Sequence, residues 1–264
     1  MTPHPHVRKA GAGPGVVCLH ANASTSGQWR ELMERLADRH LVLAPDLYGA
    51  GKSPDWPSRK EIALRDEVRF IEPVLAAAGT PYVLVGHSYG GAVALRAALD
   101  APDRVRAIAV YEPTLFGLVD QESAPPNDAD GIRNAVADSA RLADAGDFDG
   151  AAERFIDYWM VPGSWRGTPP ARQAPIRESI ANVYRWGHAL ITEPATLSDF
   201  RELDVPVLLM TGGRSTPSAH AVVRLLGAAL PHVRVHRFDA LGHMGPVTHP
   251  GQVNAEILRF LERP

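Results

Sequence analysis

Residues 82–99 read YVLVGHSYGGAVALRAAL, and the interpretation of the whole chain starts from this stretch. It opens with an apolar run, Tyr82 to Val85, that has the length and composition of a buried strand. Gly86-His87-Ser88-Tyr89-Gly90 follows, and small apolar residues typical of a tightly packed helix come next. A Gly-x-Ser-x-Gly turn between a strand and a helix exposes the serine hydroxyl on a sharp bend, as nucleophilic serines require. The alternative is a glycine-rich turn without chemistry.

Further β-rich runs and helical stripes alternate along the chain. The strand-like runs are Val16 to His20, His40 to Pro45, Pro81 to Gly86, Val105 to Tyr111, Val207 to Thr211 and Val233 to Phe238. Apolar residues recur at helical spacing in three places: Trp29, Leu32, Met33 and Leu36; Leu64, Val68, Ile71 and Leu75; and Val222, Leu225, Leu226 and Ala229. Most of the runs are continuously apolar, which is typical of parallel strands covered on both faces. The pattern predicts an α/β fold with a mostly parallel sheet, helices on both faces and functional sites at the carboxyl ends of the strands.

One connection is too long for a simple crossover. Residues 113–196 span 84 positions, whereas a crossover between parallel strands needs only roughly a dozen. Helical stripes occur at Phe148, Ala152, Phe155 and Trp159, and again at Ile176, Ile180, Tyr184 and Leu190. We therefore predict a helical cap at 113–196, inserted into a core made of residues 1–112 and 197–264. Trp159 and Trp186 are candidate substrate contacts in this cap, and the alternative is that its aromatic residues form a small core of their own.

A serine hydroxyl becomes a good nucleophile only when a nearby base takes its proton, so the chain must supply a histidine. Among 11 histidines, His243 lies in Leu241-Gly242-His243-Met244, after the last strand and before the closing helix predicted for Gly251 to Leu261. That loop is at the same edge of the predicted sheet as Ser88. His20 and His87 also flank strand ends, where we expect them to fix loops through hydrogen bonds. His243 is therefore the predicted base.

These residues together resemble the α/β-hydrolase superfamily over almost the whole chain. The landmarks are His20-Ala21-Asn22 after the first long strand, the segment from Asp46 to Ser53 after the second, the Ser88 turn, and Gly242-His243 near the end. The resemblance implies an eight-stranded sheet, or a seven-stranded one because the short N-terminus has room for only one of the first two strands. It also implies an oxyanion hole, which maps onto the backbone amides of Asn22 and Tyr89.

The chain departs from many relatives at the triad acid. They carry an aspartate after the seventh strand, whereas Gly212-Gly213-Arg214-Ser215 places a serine there. Glu112 follows the strand after the Ser88 helix, a position that some superfamily members use for the acid, including certain haloalkane dehalogenases. Glu112 is our predicted acid. Asp239, four residues before His243, is the rival, and the remaining alternative is weak orientation by Ser215.

The predicted activity is hydrolysis of a carboxylic ester of a small or medium apolar substrate through an acyl-enzyme. The same triad would suit a thioester, a lactone, a carbon–carbon bond or a peracid, and these alternatives stay open. A ligand-binding or receptor protein on the hydrolase scaffold is the rival of another class. We expect no cofactor and no metal, and the oligomeric state is not predicted.

Composition agrees with an ordinary globular enzyme. Hydrophobic residues make up 45% of the chain and charged residues 22%, which argues against a disordered or fibrous protein. The net charge of -3 offers no cationic surface for nucleic acid or an anionic membrane. The single cysteine, Cys18, excludes an internal disulfide. The N-terminal residues lack the apolar core of a signal peptide, so we predict a cytoplasmic protein with no membrane partner.

Overall fold

A mostly parallel sheet forms the centre of the molecule in a computed structural model that describes residues 3–58 and 60–262. Within this range the sheet has seven strands, which are β1 (Val7–Ala10), β2 (Gly15–Leu19), β3 (Leu41–Pro45), β4 (Tyr82–His87), β5 (Val105–Tyr111), β6 (Val207–Gly212) and β7 (Val233–Phe238). Their order is β1-β3-β2-β4-β5-β6-β7. β1 runs antiparallel to β3, and the other neighbours are parallel. The predicted fold class is confirmed, with the smaller of the two expected strand counts.

The central strands are buried on both faces, as their continuous apolar runs predicted. Successive side chains of a strand point to opposite faces, so β4 sends Leu84 into one apolar cluster and Val83 and Val85 into another. β7 lies at the end of the sheet and has no buried residue. Its alternation of charged and apolar side chains is typical of an edge strand.

Helices cover both faces. Within the described part of the chain they are α1 (Arg30–Leu36), α2 (Leu64–Ala77), α3 (Tyr89–Asp100), α4 (Gly117–Glu122), α5 (Asp130–Asp144), α6 (Phe148–Trp159), α7 (Ser164–Gly167), α8 (Pro170–Ser179), α9 (Val183–Ile191), α10 (Leu197–Arg201), α11 (Pro217–Ala229), α12 (Gly245–Thr248) and α13 (Pro250–Leu261). Residues of α1 and α13 pack on one face of the sheet, and residues of α2, α3 and α11 pack on the other. The three helical stripes predicted from apolar spacing correspond to α1, α2 and α11. None of the helices described is long and apolar enough to cross a membrane.

The connection between β5 and β6 contains helices α4 to α10. Buried residues of α5, α6 and α9 belong to the same apolar cluster as the α2 and α3 face of the sheet. Two positions of the predicted stripes are wrong, because Phe148 and Tyr184 are 40% and 51% exposed. Phe148 begins α6 and Tyr184 lies near the start of α9, so both sit at helix ends where the stripe no longer faces the interior. The division into a core and a cap at 113–196 stays a prediction.

Candidate active site

Ser88 occupies a strained bend between β4 and α3. Its backbone has φ 55° and ψ −118°, a conformation that L-residues rarely adopt outside sites where the surroundings enforce it. The Ser88 amide donates a hydrogen bond of 3.0 Å to the carbonyl of Tyr111, which ties the bend to the neighbouring strand β5. A side chain on Gly86 would lie 2.6 Å from the Gly90 carbonyl oxygen, and one on Gly90 would lie 2.4 Å from that of Leu19. The two glycines of the motif are therefore required by close backbone approach.

The structure brings Ser88, His243 and Glu112 into one hydrogen-bonded chain. The Ser88 hydroxyl lies 2.9 Å from Nε2 of His243, and Nδ1 of His243 lies 2.7 Å from a carboxyl oxygen of Glu112. Strand order explains the meeting, because β4 pairs with β5 in parallel register and Ser88 and Glu112 each follow the end of their strand. All three residues are buried. The three hydrogen-bonded side chains have the geometry of a nucleophile (Ser88), a base (His243) and an orienting acid (Glu112).

Glu112 is fully buried and is held as a carboxylate. One of its oxygens accepts hydrogen bonds from the Thr211 hydroxyl at 2.8 Å and the Gly212 amide at 2.7 Å. Burial alone would raise the pKa of Glu112, but the hydrogen bonds from His243 and Gly212 hold that pKa below its ordinary value. The residue has φ 44°, so both Ser88 and Glu112 are held in unfavourable backbone conformations. Thr211 and Gly212 are the last two residues of β6, whereas Glu112 follows β5. The neighbouring strand therefore stabilises the carboxylate of Glu112.

The two rival acids are placed differently. Asp239 is an exposed side chain whose carboxylate pairs with Arg237 at 3.0 Å. Ser215 is inside the site: its buried hydroxyl lies near the Glu112 carboxylate and helps to lower the pKa of that carboxyl. It has no partner at hydrogen-bond geometry among the described residues. Of the three candidates, Glu112 is the one whose carboxylate contacts the ring of His243.

Two further side chains hold the loop that carries His243. Burial lowers the pKa of His87 to about 3, so its ring is neutral and carries one proton. Nε2 of His87 lies 2.8 Å from the His243 carbonyl oxygen, which can only accept, so the proton is on Nε2, and Nδ1 accepts from the Gln28 side chain at 3.2 Å. The Tyr111 hydroxyl donates to the Gly242 carbonyl at 2.7 Å. Sequence reasoning expected His87 to fix a loop but missed Tyr111.

The residues predicted for the oxyanion hole flank Ser88. Tyr89 is the first residue of α3, so its backbone N–H has no acceptor within the helix and is available to a ligand. Asn22 follows β2, which pairs with β4, and it lines the same cavity as Ser88. Burial lowers the pKa of His20, and Nε2 of its neutral ring accepts from the Leu47 amide at 3.0 Å while Nδ1 donates to the Ala21 carbonyl at 2.7 Å. His20 thereby fixes the loop that contains Asn22.

A cavity of about 1080 Å³ opens at Ser88 and His243. The α6 and α8 helices supply much of its wall, including Phe155, Trp159 and Ile176. The indole ring of Trp159 stacks on the imidazole of His243, with ring centres 3.9 Å apart and an angle of 22° between planes. Trp186 is not among the described residues that line the cavity; it lies in α9 and packs in the apolar core.

Metal-binding residue types do not cluster in the part of the chain that the structure describes. Across residues 3–58 and 60–262, no three His, Cys, Asp or Glu side chains are grouped in a way that could hold a metal ion. Of these residue types, His243 and Glu112 of the site are hydrogen-bonded to each other.

Comparisons with known proteins agree with this architecture. A family model described as alpha/beta hydrolase fold matches residues 14–250. Lipase LipV of Mycobacterium tuberculosis is 30% identical over 271 residues, covering 96% of this chain and 95% of that protein. A pimeloyl-acyl-carrier-protein methyl ester esterase of Chromobacterium violaceum is 28% identical over 264 residues, covering 97% of each chain. The crystal structure of an alpha/beta hydrolase from Sphaerobacter thermophilus superposes with a TM-score of 0.68 at 24% identity, covering 94% of this chain and 95% of that one. The chain therefore belongs to the alpha/beta hydrolase fold family.

Proposed function

We propose that this protein is a serine hydrolase that cleaves a carboxylic ester of a small or medium apolar substrate through an acyl-enzyme. The observation that carries the proposal is the chain of hydrogen bonds from Ser88 through His243 to Glu112, at 2.9 and 2.7 Å, opening into a cavity. A binding protein on the same scaffold would not need an aligned nucleophile and base. The substrate is the proposed partner, and no resident cofactor enters the scheme.

In the first half of the reaction Ser88 attacks the ester carbonyl. His243 accepts the hydroxyl proton on Nε2, because its Nδ1 proton is already donated to Glu112. The Glu112 carboxylate then faces an imidazolium and stabilises the positive charge. The amides of Tyr89 and Asn22 bind the oxygen that becomes negative in the tetrahedral intermediate. When the intermediate collapses, His243 returns the proton to the departing alcohol.

Water completes the cycle in the second half. It attacks the acyl group on Ser88 while His243 takes its proton, and the same two amides hold the second tetrahedral intermediate. Collapse releases the carboxylic acid, and His243 gives the proton back to the Ser88 oxygen. Trp159 stacks on one face of the imidazole that performs these proton transfers.

The ester assignment has two supports beyond the triad. One of the relatives above is named a methyl ester esterase and another a lipase. The cavity walls near Ser88 include apolar side chains of the predicted cap, such as Phe155 and Trp159, which suit an apolar acyl or alcohol group. Thioesters and lactones present a similar carbonyl to the same triad, so they belong in the substrate panel.

The test is turnover of p-nitrophenyl acetate and butyrate by the wild type and by Ser88→Ala. We expect Ser88→Ala to lower kcat by on the order of a million-fold, because it removes the nucleophile and little packing. Ser179→Ala, another serine that lines the cavity, is the matched control and should keep most of its activity. An Ser88→Ala variant with more than a tenth of wild-type activity would contradict the proposal, and so would a wild type that turns over no ester, thioester or lactone.

A further inference from the structure

Glu67 is a second fully buried carboxyl group close to the site, and the proposed reaction does not use it. It lies on α2 with no exposed surface. One carboxyl oxygen is 3.1 Å from the hydroxyl of Tyr89, and the other accepts from the backbone amide of Tyr48 at 3.2 Å. Glu67 therefore joins two segments that are distant in sequence.

Both partners of Glu67 belong to elements that shape the cavity. Tyr89 is adjacent to Ser88, and its side chain is buried against α2. Tyr48 lies in the 46–53 loop, in which Gly49, Ala50, Gly51 and Ser53 line the cavity. Other hydrogen bonds also hold this loop, since the Leu47 amide donates to His20 and the Lys52 amide donates to Asp46. Glu67 adds the hydrogen bond to the Tyr48 amide.

The surroundings of Glu67 contain no compensating cation among the described residues. The ionisable groups that face it are Tyr89 from α3, Tyr48 from the 46–53 loop, and Asp66 beside it on α2. Asp66 repels a negative charge, and both tyrosine side chains are uncharged, since burial raises the pKa of each. Tyr89 donates to Glu67 through its hydroxyl, whereas Tyr48 donates through its backbone amide. Phe70 stacks on Tyr48 with ring centres 3.7 Å apart, and Glu67 itself has no surface exposed to water.

We propose that Glu67 is a positioning residue for the active site, and that its uncharged carboxyl group holds the Tyr89 side chain and the 46–53 loop in the arrangement that supports catalysis. An uncharged carboxyl can accept from the Tyr48 amide with one oxygen and share a proton with the Tyr89 hydroxyl through the other. A buried carboxylate without a cation is costly, so ionisation favours a rearrangement that brings water to it. Such a rearrangement would move the loop or Tyr89. This inference rests on the proposed function, since the site it positions is the one described above.

The pKa of Glu67 sets the pH range in which its carboxyl group is uncharged and can position the active site. Burial raises its pKa from the ordinary 4.5 to about 8, although the Tyr48 and Tyr89 hydrogen bonds oppose the rise. A group with a pKa of about 8 is about nine-tenths protonated at pH 7 and about one-tenth at pH 9. Because the native protein keeps a proton that the unfolded chain releases, the unfolding free energy falls as pH rises from 4.5 to about 8.

The experiment compares Glu67→Gln with the wild type from about pH 7 to pH 9. The glutamine amide has the shape of the uncharged carboxyl and cannot ionise. We expect the ratio of kcat/KM, variant over wild type, to rise about tenfold across this range, because only the wild type loses its active form. Taking the ratio cancels any pH effect that both proteins share, including the effect of hydroxide on the assay. A ratio that is constant with pH would overturn the proposal.

Two variants keep the test decisive. Glu72→Gln removes a partly exposed carboxylate from the same helix, and its ratio should stay constant with pH. Tyr89→Phe removes one donor to Glu67, which favours the uncharged form, so the alkaline midpoint of kcat/KM should move to higher pH. This second variant decides the matter if Glu67→Gln does not fold, and an unchanged midpoint would count against the proposal.

Thermal unfolding separates this inference from the proposed function. The difference in Tm between Glu67→Gln and the wild type should grow from about pH 5 to pH 8 and then level off. If no ester is turned over, the proposed function fails, while the Tm series and the pH dependence of Ser88 labelling by a fluorophosphonate still test Glu67. A Tm difference that does not change with pH would contradict the burial of an uncharged carboxyl.

Discussion

The edge of the sheet and the helices that cover it are built in different ways. At the sheet edge, Ser88 and Glu112 follow adjacent strands, and backbone hydrogen bonds to Tyr111 and Met210 hold both of them. In the covering helices, α8 has no buried residue, and it lines the cavity with side chains such as Ile176. Trp159 connects the two regions by stacking on His243. The difference suggests that the edge supplies chemistry common to all substrates, whereas the helices select among them.

After the loss of Ser88 itself, the largest effect should come from the sheet edge through Glu112→Gln. The amide can still accept from Thr211 and Gly212, but it carries no charge to stabilise the imidazolium of His243. By analogy with the loss of other triad acids, kcat should fall by roughly three to four orders of magnitude for every ester tested. Steady-state kinetics with esters of several acyl lengths measures this, and circular dichroism checks the fold.

The controls for Glu112 are the two rival acids. Asp239→Asn and Ser215→Ala should each lower kcat by about tenfold at most, since neither removes the carboxylate that contacts His243. If Asp239→Asn were the crippled variant and Glu112→Gln nearly normal, the assignment of the acid would be wrong. The proposed roles of Ser88 and His243 would survive that result.

The next effect should come from Trp159→Ala and should depend on the substrate. Trp159 lines the cavity, so its removal deletes apolar contacts, and a longer acyl chain has more of them to lose than acetate. We expect kcat/KM to fall by about tenfold more for the longest productive ester than for acetate. An equal loss across all acyl lengths would mean that Trp159 acts on His243 alone.

Trp186→Ala is the matched control for Trp159. It is the same residue type in the same helical region and is similarly buried, at 4% exposed against 7%, but it is not among the described residues that line the cavity. We expect it to lower the free energy of unfolding by about 3–5 kcal/mol without changing the order of preference among esters. Denaturant unfolding measures the stability loss, and a changed preference would show that Trp186 contacts substrate after all.

The smallest effect should come from Ile176→Ala on α8. Ile176 is half-buried and lines the cavity, so its truncation should change kcat/KM by about threefold to tenfold for long acyl chains and little for acetate. Ala174→Ser, on the same helix but exposed, should leave the whole series unchanged. The comparison of sheet edge and covering helices would break down if Ile176→Ala affected acetate as strongly as longer esters.

The sheet edge was predictable from sequence because its signals are local. The apolar run before Gly86, the glycines around Ser88 and the loop at His243 each follow from short-range rules on strands and turns. Parallel strands end at one edge, so these residues could be placed together without knowing the loops between them. Glu112 was predictable for the same reason, once no carboxylate followed β6.

The remaining features depend on long-range packing. Phe148 and Tyr184 fit the apolar spacing of a helix but are exposed, because they lie at helix ends that project from the packed interior. The spacing of apolar residues in the sequence does not show where a helix stops being covered. Tyr111 was missed because its hydroxyl meets Gly242, 131 positions away in the chain. Glu67 was not singled out from the sequence, because its partners Tyr48 and Tyr89 are 19 and 22 positions away in the chain.

The central claim is that Ser88 becomes acylated, and mass spectrometry of the protein during turnover tests it most directly. Wild-type protein quenched in acid shortly after mixing with p-nitrophenyl butyrate should carry one butyryl group, and peptide mapping should place it on Ser88. His243→Ala should carry far less under the same conditions, because Ser88 then has no base. A butyryl group on another residue, or rapid turnover with no acylated protein after a quench that preserves esters, would contradict the account.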